Sequence, residues 1–80
     1  MVDVIEARYV KARTLWLRFE DGTQGEVDLS GELNGEIFEP LKNEDFFRRF
    51  RVNEDTGTIE WPNNADFAPE FLYERLRVVA

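Results

Sequence analysis

Between Trp61 and Tyr73 the chain reads Trp-Pro-Asn-Asn-Ala-Asp-Phe-Ala-Pro-Glu-Phe-Leu-Tyr, and its two prolines constrain the fold more than any other residues. Pro62 has no N–H to give to a sheet ladder, so a strand arriving through residues 58–61 must end there. Asn63 and Asn64 tolerate the left-handed conformation of a tight turn. Pro69 suits the first position of a helix, and the residue before a proline avoids the helical region, which makes Ala68 the cap position. Asp66 is the rival cap. Phe67 then packs as a staple against Leu72. Phe71, Leu72 and Leu76 fall on the buried stripe of the final helix, while Glu70, Glu74 and Arg77 turn outward.

Upstream, residues 3–10 alternate Val, Ile and Tyr against Asp, Glu and Arg, the pattern of a strand. Lys11-Ala12-Arg13 is a polar break. Residues 14–19 form a second strand with Leu15, Leu17 and Phe19 on one face and Trp16 and Arg18 on the other. A two-residue Asp21-Gly22 loop would put the leucines on the same face as Glu26 and Asp28. A three-residue loop, Glu20-Asp21-Gly22, pairs Phe19 with Thr23 and Leu15 with Val27, so that the apolar residues meet Val27 and Leu29. Burying charge is expensive, so the second register wins, with Gly22 left-handed in a bulge. Residues 30–35 read as a loop or a single helical turn. Ile37, Phe38 and Leu41 supply apolar anchors around Pro40. Asn43 caps a short helix with Glu44 and Asp45 in its first turn and Phe46, Phe47 and Phe50 as its apolar content. Residues 51–53 and 58–61 form a second hairpin that pairs Val52 with Ile59 and Phe50 with Trp61 across Glu54-Asp55-Thr56-Gly57. The expected architecture is a single α+β domain over residues 1–80, a small antiparallel sheet in the order β-β-β-α-β-β-α with two short helices.

Composition then narrows the chemistry. Eighty residues make one domain, which buries only about 60–65% of its unfolded surface. Neither cysteine nor histidine is present, which removes disulfides, the usual zinc sites and the Ser-His-acid and Cys-His arrangements. No Gly-rich phosphate loop occurs. Asp66 and Glu70 stand four apart near a helix start, but a cap and an acid favoured by the helix dipole explain them. The acids between Glu26 and Asp45 fit no calcium loop. No catalytic residue, metal or cofactor is therefore expected, and the chain reads as a non-enzyme. No apolar run is long enough for a membrane span, and acids interrupt the first residues, so no signal peptide is expected. A small domain that manages without cysteine fits a reducing cytoplasm.

The net charge is −7. It repels nucleic acid and anionic membranes and attracts a basic protein; its plainer role is solubility. Two basic groups stand out, Arg48-Arg49-Phe50-Arg51 and the set Arg8, Lys11, Arg13 and Arg18. Either would contact a phosphate or an acidic partner, or simply pair with nearby acids. Trp16 lies opposite the core-facing leucines, beside Arg18 and Glu26, and an exposed Trp beside Arg is a typical binding anchor. The candidate partner-binding residues are Trp16, Arg18, Trp61, Asn63, Asn64, Asp66 and Tyr73. For Trp61, Phe67, Phe71 and Tyr73 core packing is the competing explanation, with Tyr73 the one expected to show a polar end. An exposed edge strand from either hairpin leaves a homodimer open.

The ordered segments Leu15-Trp16-Leu17-Arg18-Phe19, Asp21-Gly22-Thr23, Gly25-Glu26-Val27-Asp28-Leu29, Phe38-Glu39-Pro40-Leu41, Thr58-Ile59-Glu60-Trp61-Pro62-Asn63 and Ala65-Asp66-Phe67-Ala68-Pro69-Glu70-Phe71-Leu72-Tyr73 together resemble the short bacterial family catalogued as domain of unknown function 2442. Asn64 stands where that pattern would have Gly, which adjusts the turn and leaves the fold. The resemblance implies a compact α+β domain, often encoded beside another small protein in a toxin–antitoxin-like arrangement. Some relatives carry a helix-turn-helix domain afterwards; here the chain stops at Ala80. No family catalytic residue can be carried over. The expected function is an acidic protein-interaction module, one half of such a pair. The alternative is a regulatory domain that senses a small ligand and acts with a DNA-binding partner.

Overall fold

Leu15 faces Val27 and Leu17 faces Gly25 across the first hairpin, the register that keeps Glu26 and Asp28 out of the core. Its loop is the three-residue one: the Phe19 N–H donates to the Thr23 carbonyl at 2.8 Å and the Gly22 N–H to the Phe19 carbonyl at 2.9 Å. Gly22 has φ +88°, where a side chain would be strained. A computed structural model describes residues 2–78. Strands β1 (Val4–Lys11), β2 (Thr14–Phe19) and β3 (Gln24–Asp28) form an antiparallel meander in that order. Two 3₁₀ turns follow, Ser30–Glu32 and Glu36–Lys42, then α1 (Glu44–Phe47), β4 (Arg51–Asn53), β5 (Thr58–Glu60) and α2 (Pro69–Arg75).

The architecture is α+β with antiparallel strands, but the strands form two ladders rather than one sheet. β4 and β5 pair only with each other, Val52 opposite Ile59. The second hairpin docks on β1 through the Val4 N–H, which donates to the Gly57 carbonyl at 2.9 Å. Phe50 and Trp61 do not extend its ladder. Past Pro62 the chain doubles back through Asn63 and Asn64, the latter at φ +70°. The Trp61 N–H then reaches the Ala65 carbonyl at 2.9 Å, and Asp66 forms a bridge with Glu60.

Leu15, Leu17, Phe19, Val27 and Leu29 line the inner face of the meander, fully buried, and Leu41, Phe47, Ile59, Trp61 and Leu72 close over it. Each such side chain contributes about 1.5–3 kcal/mol by leaving water. The Trp61 indole N–H donates to the Phe47 carbonyl at 2.7 Å, and the buried Thr58 hydroxyl to the Phe67 carbonyl at 2.6 Å. Asn43 caps α1 by accepting from the Phe46 N–H at 3.0 Å. Ala68 caps α2, with Pro69 first. Phe67 meets Phe71 rather than serving Leu72 alone: Phe38, Phe67 and Phe71 stack with centroids 4.9 and 5.5 Å apart, and the Arg75 guanidinium lies 3.8 Å from the Phe71 ring. This column ties the second 3₁₀ turn to α2.

Helix α2 ends sooner than its apolar stripe implied. Leu76 is extended at φ −67°, ψ 134°. Arg77 follows it against β3, exchanging backbone hydrogen bonds with Glu26 at 2.7 and 2.8 Å.

Candidate functional site

On the outer face of the meander the register places Arg8, Trp16 and Glu26 in one row across the strands, and Glu6, Arg18 and Gln24 in the next. All six are at least partly open to solvent. The Glu6 carboxylate holds two arginines at once. Its Oε1 accepts from Arg18 at 2.9 and 3.2 Å, and its Oε2 from Arg8 at 2.6 and 2.9 Å. With its head held there, the Arg8 guanidinium lies 5.0 Å from the centre of the Trp16 ring. Exposed ion pairs stabilise little, at most about 1 kcal/mol each, so the effect of this network is mainly orientation. It sets a partly buried indole beneath one arginine and beside another, on paired strands.

The remaining candidates lie elsewhere. Trp61 is 2% exposed, packed against Phe47 and Phe67, and belongs to the core instead of a contact surface. The Asn63 amide donates to the Ile37 carbonyl at 2.9 Å and accepts from the Ala65 N–H at 3.2 Å, building the turn. Asn64 and Asp66 are exposed around it. Tyr73 packs edge-on against Phe19, on the opposite side of the sheet from Trp16, and its hydroxyl donates to Asp21 at 2.8 Å. That is the polar end expected of it. Of the seven, Trp16 and Arg18 share the outer sheet face, and Asn63, Asn64 and Asp66 share the turn after Pro62. Glu6 and Arg8 complete the group on the sheet face, and alternation along β1 alone does not reveal their roles.

Among the described residues four carboxylates are held away from their ordinary values, all of them downwards. Glu6 is lowered by its hydrogen bonds from Arg18 and then Arg8. Asp21 is lowered by the Thr23 backbone N–H and then the Tyr73 hydroxyl, Asp28 by the Ser30 backbone N–H, and Glu60 by Arg51. This is the direction of paired carboxylates rather than of a general acid. A carboxylate lowered in the folded state adds stability above its unfolded value, and that stability is lost as pH falls through the folded value. The thermal midpoint is therefore expected to fall as pH drops below the ordinary carboxylate values of 4.5 and 3.8, and Glu6→Gln to flatten part of that dependence. Calorimetry down through these values checks it; an identical pH profile in Glu6→Gln would refute the pairing.

Among the described residues no group of three or more acidic side chains converges as a metal site. None of the helices is long and apolar enough to cross a membrane. One recess of about 190 Å³ lies between Asp3, Val4, Ile5, Glu20, Val52, Glu54 and Gly57.

Residues 4–77 match the family described as a protein of unknown function, DUF2442. No curated protein and no solved structure matches the chain.

Proposed function

Because the chain belongs to the DUF2442 family, a description that assigns no activity, we propose that it is a non-enzymatic protein-interaction module of the cytoplasm, the acidic half of a two-component, toxin–antitoxin-like pair. The observation that carries this reading is Trp16, partly buried on the outer sheet face, capped by Arg8 and flanked by Arg18. Trp and Arg dominate the binding energy of protein interfaces when they are held in place before contact. The net charge of −7 favours a basic partner and speeds its approach. The small-ligand sensor has weaker support: the recess of about 190 Å³ is carboxylate-lined, and ligand pockets usually occupy about 300–1,000 Å³.

The test is affinity capture of the tagged chain and of Trp16→Ala from the native host, at low and high salt. The wild type is expected to retain a basic protein in stoichiometric amount at low salt. Trp16→Ala is expected to weaken that binding about 30-fold, as loss of a 2 kcal/mol anchor would, with its thermal midpoint unchanged. Equal recovery by both proteins, or no partner for either, would overturn the reading.

A further inference from the structure

A second surface, away from Trp16, brings one residue from each basic group of the sequence to one aromatic pair. Tyr9 on β1 and Phe47 on α1 meet edge to face, centroids 6.4 Å apart. The Arg13 guanidinium lies 5.5 Å from the Phe47 ring, and that of Arg48 lies 4.5 Å from the Tyr9 ring. Arg13 comes from the β1–β2 turn and Arg48 from the end of α1, so only the tertiary fold brings them together. We propose that this aromatic-backed pair of Arg13 and Arg48 is a docking surface for an acidic peptide segment of a protein partner.

The ion pairs among the described residues engage Arg8, Arg18, Lys42, Arg51 and Arg75. Arg13 and Arg48 are in none of them, nor are Lys11, Arg49 and Arg77, although the chain has 17 acids for 10 bases. Cations left together in so acidic a molecule keep their charge available. Arg13 is anchored by donating to the Ala12 and Lys42 carbonyls, which fixes the plane of its head. A guanidinium laid on a ring presents its N–H edge outward, and a carboxylate meets that edge with two parallel hydrogen bonds. The cluster is small, and a phosphate backbone running past it would need more cations than this surface offers. A short acidic segment needs only a few.

The test uses the full chain and fluorescence anisotropy with a labelled octaglutamate peptide, an octaglutamine counterpart and an eight-residue oligothymidine. Octaglutamate is expected to bind, and to weaken about tenfold between roughly 50 and 200 mM salt. Arg48→Gln is expected to weaken binding at least about fivefold, roughly the 1 kcal/mol of one charge-assisted hydrogen bond. Arg51→Gln, whose partner is Glu60, and Trp16→Ala are expected to leave it unchanged, which separates this surface from the one above. If Arg48→Gln lowers the thermal midpoint, Arg48→Lys, which keeps the charge and loses the two-pronged edge, takes its place. Equal binding of octaglutamine, no effect of either substitution, or tighter binding of oligothymidine would overturn the proposal.

Discussion

Trp61→Ala is expected to destabilise the domain by about 3–5 kcal/mol, against a total of about 4–12 kcal/mol for a chain of this length. The indole is 2% exposed and packs between Phe47 and Phe67, with centroids 5.6 and 5.9 Å away. Its removal opens a cavity where α1, β5 and the segment before α2 meet. The substitution also removes the N–H that serves the Phe47 carbonyl, and a buried carbonyl left without its donor costs about 1–3 kcal/mol more. Trp61→Phe separates the two contributions by keeping a ring and losing the donor; about half the loss is expected from it. Urea unfolding followed by far-UV circular dichroism measures both. A midpoint in Trp61→Ala within error of wild type would mean that this indole is not the centre of the core, and would reopen its candidacy as a contact residue.

The features that could be read before folding are those where a wrong choice buries charge or breaks a backbone rule. The register of β2 and β3 is one, because the alternative loop turns Glu26 and Asp28 inward. The start of α2 is another, because Pro69 tolerates few positions. What could not be read depends on distant contacts. Nothing in residues 51–60 states which strand edge the second hairpin meets, and it docks on β1 by way of Gly57. Ile37 was expected to anchor the core yet is 47% exposed: a 3₁₀ turn repeats every three residues, so Phe38 and Leu41 share its inner side and Ile37 points out. At the candidate site, the opposition of Trp16 to the leucines follows from alternation. Arg8 above it, and Glu6 between two arginines, follow only from the β1–β2 register, and irregularities between Val4 and Glu6 and between Tyr9 and Lys11 hide that register. The meeting of Arg13 and Arg48 over Tyr9 and Phe47 has no local signature at all.

Gly25→Ala is expected to detach the segment after α2 from the edge of β3. Gly25 pairs with Leu17 in a regular strand, so its role is not conformational freedom. A methyl group there would stand 2.2 Å from the Arg77 carbonyl oxygen, 2.8 Å from its carbon and 3.1 Å from the Val78 Cα. All three are backbone atoms, which cannot rotate away as a side chain would. Either the bridge between Glu26 and Arg77 opens or β3 must move, and opening is the cheaper course. It loses two backbone hydrogen bonds at about 1 kcal/mol each, whereas β3 carries the fully buried Val27. The Glu26 amide should then exchange with solvent at least about fivefold faster, as befits the loss of a bond worth about 1 kcal/mol. A chain ending at Leu76 supplies the second arm of a double-mutant cycle: Gly25→Ala in that background is expected to cost almost nothing, because the clash has been removed. If the substitution costs the same in both backgrounds, the close approach of residues 77–78 does not explain the glycine. The opened edge has a further consequence. With Arg77 lifted away, the N–H and carbonyl of Glu26 face solvent on the outer side of β3, a template on which another strand can add. Gly25→Ala should therefore dimerise at concentrations where the parent chain does not, and sedimentation velocity over a concentration series would detect it. Unchanged sedimentation together with faster Glu26 exchange would show that the edge opens without attracting a second copy.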